Sequence, residues 1–145
     1  MSVFSAMNVS ATGMTAQQLR MDIISENIAN ANTTRTQDGT AYRRKTVVFA
    51  EKATTSFDNI LNGYMTNYQP NGVKVTQIVQ DPSDLRLVYE PDNPDANDAG
   101  YVEYPNVDTV TEMTNLIDSS RAYEANITAF NSSITIAEKG LELFG

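Results

Sequence analysis

The sequence predicts a mainly α fold with a small β portion: long N- and C-terminal helices packed as a coiled-coil-like pair, joined by a β-hairpin-containing middle segment. Three observations carry this prediction: a strict heptad stripe near the C-terminus, a weaker one near the N-terminus, and strand-type composition between them.

At the C-terminus, Met113, Ser120, Ile127, Ile134 and Leu141 recur every seven residues, and Leu116, Tyr123, Phe130, Ala137 and Phe144 follow each by three. All but Ser120 are apolar, so the stripe has the 3.5-residue period of a coiled-coil seam. Asp118, Arg121, Glu124 and Glu138 fall on other faces and suit solvent. From Met113 to Phe144 such a helix reaches roughly 48 Å at about 1.5 Å per residue, too long to be hidden in so small a chain.

The N-terminal helix repeats the idea with Met7, Met14, Met21 and Ile28, interleaved with Phe4, Ala11, Gln18 and Ser25. Half of the second row is polar. A further row of Val9, Ala16, Leu19 and Ile23 broadens the apolar surface, so this helix is expected to meet more than one neighbour. Gly13 interrupts it at a local cost of up to about 1 kcal/mol relative to Ala.

Between the helices, "YRRKTVVF" (42–49) reads as a strand, and "VKVTQIV" (73–79), the turn "QDPS" and "LRLVY" (85–89) read as an antiparallel hairpin. "FDNILNGYM" (57–65) has the spacing of a short helix, and residues 90–107, rich in Pro, Asn and carboxylates, read as a loop. The expected organisation is a discontinuous terminal-helix unit (1–34 and 107–145) with a middle segment over 35–106.

Composition then removes whole classes of chemistry. The chain has no Cys and no His, which excludes the usual zinc sites, thiol catalysis and Ser-His-Asp triads. "DANDAG" (95–100) begins like a calcium loop, but Ala99 and Asn106 stand at its fifth and twelfth positions, where ligands are needed. The 18 acidic residues lie in turns or on polar helix faces, so no pair is marked as an acid and base. No enzyme, metal or cofactor is expected. A net charge of −8 argues against a nucleic-acid partner, and the absence of a long apolar run argues against membrane insertion. The opening "MSVFSAMNVSATGM" lacks the basic and apolar regions of a cleaved signal peptide.

Two features point to self-association. The basic run Arg43, Arg44, Lys45 contrasts with the segment Asp81–Glu112, where nine of the 18 acidic residues face one base, Arg86. The run reads either as a solvated strand end or as an electrostatic contact with the acidic segment of a neighbouring copy. The helix stripes also differ in kind. One is narrow and long, the other broad and half polar, so neither covers the other fully. Met7, Met14, Met21, Ile28, Met113, Leu116, Tyr123, Ile127, Phe130, Ile134, Leu141 and Phe144 are the expected assembly surface.

The N-terminal helix exits through "SENIANANTT" (25–34). Asn27, Asn30 and Asn32 offer donors to the orphan carbonyls of a helix end and tolerate left-handed backbone. This stretch resembles the Ser-x-Asn-Ile-Ala-Asn-x-x-Thr signature of bacterial flagellar rod and hook proteins, carried here by Ser25, Asn27, Ile28, Ala29, Asn30 and Thr33. Glu26 departs from the small or amide residue common there. The C-terminal "DTVTEMTNLIDSSRAYEANITAFNSSITIAEKGLELFG" resembles that family's terminal helix, and "GVKVTQIVQDPSDLRLVYEPDNPDANDAGYVEYPNVD" resembles its short proximal-rod members. The resemblance implies a structural subunit outside the cytoplasmic membrane, exported without a cleaved signal peptide through the flagellar export apparatus. It implies helical assembly with copies of itself and with other rod proteins, terminal helices inward, to build a torque-transmitting shaft around the export channel. The alternatives are another rod or hook axial component, or a cytoplasmic coiled-coil adaptor.

Overall fold

The computed structural model describes residues 3–52 and 71–143; the expected helix over 57–65 lies outside them. In chain order the elements are helix α1 (Val3–Ala29), strands β1 (Lys45–Glu51), β2 (Val73–Gln80), β3 (Arg86–Tyr89) and β4 (Tyr101–Tyr104), and helix α2 (Thr109–Glu142). The 34 residues of α2 span about 51 Å. Its start is set by Asp108, whose carboxylate accepts from the Val110 and Thr111 amides at 2.9 and 3.3 Å and so satisfies two orphan donors of the first turn.

The helices run antiparallel. Asn27, at the end of α1, bonds to Glu112 near the start of α2. Gly13, fourteen residues back, lies against Asn126, fourteen residues on, where an added Cβ would sit 2.6 Å from Asn126 Oδ1. Equal steps on both helices mean a constant register. Asn126 is itself held by a 2.8 Å bond from Nδ2 to the Ala122 carbonyl. The helix-weakening Gly13 therefore has a packing reason: it removes the side chain at a close crossing.

The buried residues of α1 are Ser10, Ala16, Ile23, Ile24 and Asn27, and none belongs to the methionine row. Met14 follows Gly13 and Ile28 follows Asn27, so the methionines are turned about 100° away from the row that meets α2. On α2, Glu112 and Ser119 are buried, flanked by half-buried Leu116, Tyr123, Ile127, Phe130 and Ile134. Small and polar side chains occupy the closest approach. The larger apolar ones line its margin.

The middle forms two two-stranded antiparallel sheets, β1–β2 and β3–β4. This corrects the expected hairpin: β2 and β3 are consecutive but do not pair. β2 instead returns to β1, from Lys45 opposite Gln80 to Glu51 opposite Val73, with a bulge between Val48 and Phe49. The expected turn is held open by other bonds. The Asp81 amide donates to the Arg44 carbonyl at 2.8 Å, and Asn106 Nδ2 donates to Ser83 Oγ at 2.8 Å, so the chain crosses over here instead of folding back. β3 pairs with β4, from Arg86 opposite Tyr104 to Tyr89 opposite Tyr101. β4 lies within the stretch read as loop. The Asn residues there make the turns of an ordered connection: Asn93 Oδ1 accepts from the Asp95 amide at 3.0 Å, and Asn97 Oδ1 from the Tyr101 amide at 2.9 Å.

β1–β2 docks on α1 through Gly72. Its φ of +88° is the left-handed region, and an added Cβ would lie 2.1 Å from Thr12 Oγ1. Thr12 Oγ1 accepts from the Val73 amide at 3.2 Å and donates to the Val9 carbonyl at 2.7 Å, so it has little freedom to withdraw. Gly72→Ala is expected to destabilise the chain by about 2–4 kcal/mol, from backbone strain plus the clash. Urea unfolding measures it, and a change below about 0.5 kcal/mol would refute the docking geometry.

Candidate functional site

The site is built where three segments meet: the last turn of α1, the entry to β1, and the first turn of α2. Asn27 is fully buried at their centre. Its Nδ2 donates to Glu112 Oε2 at 2.9 Å and to the Lys45 carbonyl at 2.8 Å. Its Oδ1 accepts from the Tyr42 hydroxyl and from the Lys45 amide, both at 2.9 Å. Both donors and both acceptor positions of the amide are used, and no other side chain of this size offers that set.

Glu112 is equally buried. Its Oε1 accepts from Arg44 Nε at 2.9 Å and lies 2.8 Å from Nη2 of the same guanidinium. A buried carboxylate is costly unless paired and hydrogen-bonded, and here it is both. Arg44 reaches on to Asp81 Oδ2 at 3.4 Å, and its amide donates to Asn106 Oδ1 at 2.9 Å. Hydrogen bonds from the Ser83 backbone and side chain, with Arg44 alongside, hold the Asp81 carboxyl below its usual range. Lys45 pairs with Glu26, while Arg43 Nη1 donates to the Ser83 carbonyl at 3.0 Å.

The basic run therefore does meet the acidic segment, but inside one chain. These contacts within the chain occupy Arg44 and Lys45 before any neighbouring copy is met. Arg44 is held by Glu112 and Asp81 of its own chain, because the α1 exit and the α2 start bring residues 44, 81 and 112 together. Glu26, the departure from the family signature, supplies the partner of Lys45.

The other motif residues act locally. Asn30 Nδ2 donates to the Glu26 carbonyl at 2.9 Å, the helix-end role expected of it, and its Oδ1 accepts from Thr33 Oγ1 at 3.1 Å. Ser25 Oγ donates back to the Met21 carbonyl at 2.8 Å. Ala29 is exposed and Ile28 half-buried. No non-Gly residue among those described has a positive φ, so left-handed Asn is not used there. Tyr42, Asn106 and Glu112 escape a reading of the sequence for sites. The one available signal is Glu112, a carboxylate immediately beside the Met113 seam position.

Burial, with the Glu26 and Glu112 charges behind it, pushes the Tyr42 hydroxyl up to about 12 from its ordinary 10. The folded chain thus holds this proton more tightly than the unfolded one. The resulting stability is present in full below pH 10 and falls as pH rises from 10 to 12. Tyr42→Phe is expected to cost about 1 kcal/mol at pH 7 and to flatten that alkaline loss relative to the parent. Denaturant midpoints from about pH 7 to about pH 11 test this, and parallel curves for the two proteins would refute it.

Along the helices, the expected assembly residues fall into two groups. Met7, Met14, Met21, Leu116, Tyr123, Ile127, Phe130 and Ile134 are half-buried, whereas Met113 is 51% exposed and Leu141 75% exposed. Phe144 lies outside the described residues. Among those described, six apolar residues are buried while thirteen large ones are exposed, including Phe4, Val110, Ile117, Ile136 and Leu143 along the helices and Leu87, Tyr89 and Tyr101 on β3–β4. That ratio is the reverse of a self-sufficient domain. Among the described residues, no helix is long and apolar enough to cross a membrane.

Comparison with known proteins divides along the same lines. Residues 7–36 match a family described as flagella basal body rod protein, and residues 98–143 match the C-terminal region of the flagellar basal body rod FlgEFG proteins. The two stretches carry the two sides of the Asn27–Glu112 contact. The chain is 47% identical to flagellar basal-body rod protein FlgC of Bacillus subtilis, over 99% of both chains. It is 44% identical to that of Borreliella burgdorferi, over 99% of this chain and 98% of the relative. For FlgC of Escherichia coli O157:H7 the identity is 36% over the same shares.

Proposed function

Since the chain belongs to the FlgC family of flagellar basal-body rod proteins and is a structural subunit of that rod, we propose that it builds the proximal rod through its helix pair. Copies and other rod proteins join helically along α1 and α2, forming a shaft that transmits torque and encloses the export channel. The chain reaches its place through the flagellar export apparatus, without a cleaved signal peptide, and performs no catalytic step. The assembly surface is the one expected from sequence, from Met7 to Ile28 on α1 and from Met113 to Leu141 on α2. Of the basic run, Arg43 alone is left for an intersubunit contact, since Arg44 and Lys45 have ion-pair partners within the chain.

One observation carries this reading: with the helix pair formed, the methionine row is only half covered, and Met113 and Leu141 of the α2 stripe are bare. Burying an apolar side chain is worth about 1.5–3 kcal/mol, so these rows supply a driving force that the single chain leaves unused. The contacts they make are heterologous and need not close into a ring, as a tube requires. The adaptor reading does not survive family membership. It also gives no reason for a buried latch tying the helices to the middle segment.

Ile127→Asp and Phe130→Asp each place a charge in the seam. Both are expected to abolish incorporation into isolated basal bodies and reduce swimming to background, while the purified chains keep their helical circular dichroism. Intact hook-basal bodies and normal motility in these strains would overturn the seam assignment. A radial map of assembled rods is expected to place both helices at the channel wall.

A further inference from the structure

The two small sheets differ in charge and in the kind of apolar surface they expose. β1–β2 packs on α1, whereas β3–β4 packs against neither helix nor the other sheet among the described residues. In β3–β4, Leu87 stands opposite Glu103 and Tyr89 opposite Tyr101, so these four share one face. Leu87 is 60% and Tyr89 64% exposed, while half-buried Val88 and buried Val102 take the reverse face. The Tyr89 ring is nevertheless fixed in place. It meets Tyr101 edge to face at 5.2 Å between centroids, and a Cβ added at Gly100 would lie 2.9 Å from it. A held, exposed aromatic pair is the kind of anchor on which interfaces are built. Its surroundings are acidic: residues 84–104 hold six carboxylates and one base, Arg86, which lies on the reverse face over the Tyr104 ring. Arg35 reaches the rim but pairs there with Asp95 at 3.5 Å.

β1–β2 is of the other sign. Residues 43–52 and 73–81 hold five cations against Glu51 and Asp81, in a chain of net charge −8. Arg44 and Lys45 have ion-pair partners within the chain, but Lys52 and Lys74 are exposed and form no ion pair among the described residues. Thr46 lies opposite Val79 and Val48 opposite Gln77, and past the bulge Ala50 lies opposite Lys74. Val48, Val79 and Lys74 therefore line the outer face, turned from the cleft that Val47 and Phe49 wall over Ile23 and Ile24.

From this we infer that the β3–β4 face of one copy docks on the outer β1–β2 face of the next, Leu87, Tyr89 and Tyr101 against Val48 and Val79, with Glu103 toward Lys74. The inference rests on the rod reading above and adds to the helix seam a separate contact in the middle segment. A second copy is the occupant because each patch supplies what the other lacks: aromatic surface in an acidic rim on one, aliphatic surface beside unpaired lysines on the other. The two sheets do not touch within one molecule, so the contact needs another. Like-with-like docking is opposed, since it sets carboxylates against carboxylates or lysines against lysines. The unlike faces join head to tail, so the contact passes on from copy to copy.

The chain has no cysteine, so full-length variants carrying one introduced thiol form bridges only between molecules. Gln77→Cys and Leu87→Cys, both at exposed positions, place a thiol on each face and spare the folded core. Mixed with oxidised glutathione at low salt, they are expected to form the mixed disulfide at least about tenfold faster than either like pair. Raising the salt to about 0.5 M is expected to slow the mixed bridge several-fold by screening. Lys74→Glu in the Gln77→Cys chain is expected to slow it several-fold as well, and Glu103→Lys in the Leu87→Cys partner to restore it. Like-pair bridges forming as fast as mixed ones would overturn the contact. So would a Lys74→Glu defect that Glu103→Lys fails to relieve. Neither result touches the helix seam, which has its own test: a motile Ile127→Asp strain would overturn the seam while the mixed bridge still formed.

Discussion

Asn27→Asp is expected to lower the stability of the isolated chain by about 3–5 kcal/mol at pH 7, although the new carboxylate keeps the size and shape of the amide. It replaces the donor that faces Glu112 Oε2 at 2.9 Å and the Lys45 carbonyl at 2.8 Å with an acceptor, so two buried bonds become repulsions. Two carboxylates at that distance cannot both ionise without penalty, and one pKa must rise. A raised acid binds its proton more tightly when folded than unfolded. The penalty is therefore largest near neutrality and shrinks as pH falls toward about 4 or 5. With total stabilities of about 5–15 kcal/mol for such domains, the variant sits near the limit of folding at pH 7. Denaturant unfolding of both proteins from about pH 4 to about pH 8 reads this out. A deficit independent of pH would mean that the repulsion is not its cause.

Glu112→Ala is expected to cost about 3 kcal/mol or more, for a different reason. It strips Arg44 of its closest partner, leaves one Asn27 donor without an acceptor, and opens a cavity at a position with no solvent exposure. After Glu112→Ala, Arg44 is a quarter exposed and keeps Asp81, whereas Arg44→Ala leaves the Glu112 carboxylate buried without a cation, so Arg44→Ala should cost at least as much. The double variant should cost clearly less than the sum, by about 1–3 kcal/mol. Additivity within about 0.3 kcal/mol would show that the pair does not act as a unit. The surface pair Lys139–Glu142, about 70% exposed on both sides, serves as the neutral control.

Both variants bear on what the sequence reveals and what it conceals. The helices are legible because heptad spacing is a local property, readable without knowing the partner. The strands β1, β2 and β3 are legible for the same reason, but their pairing is not. Composition marks a strand and says nothing of which edge it meets, and the bonds that redirect 81–84 come from Arg44 and Asn106, distant in sequence. β4 is lost among prolines and carboxylates, though Val102 is among the most buried residues described. The helix faces show a subtler limit. Large apolar residues draw the eye to the methionine row, whereas α1 meets α2 closely at Gly13, which lies against Asn126 where the lack of a side chain permits approach. The Asn-rich exit reads correctly as a helix stop at Asn30. At Asn27 the decisive partners are 18 and 85 residues away, beyond the reach of any local rule.

The two fixed points of the helix crossing, at Asn27 with Glu112 and at Gly13 with Asn126, set a condition on how this molecule can change length. One residue inserted into α1 between them turns everything beyond it by about 100°, so a polar anchor and a glycine notch could no longer both engage. Seven residues nearly restore the phase, but only when the opposite member of the pair lengthens by seven as well. Growth along this stretch is thus quantised: it proceeds in matched heptads on the two helices together, or not at all.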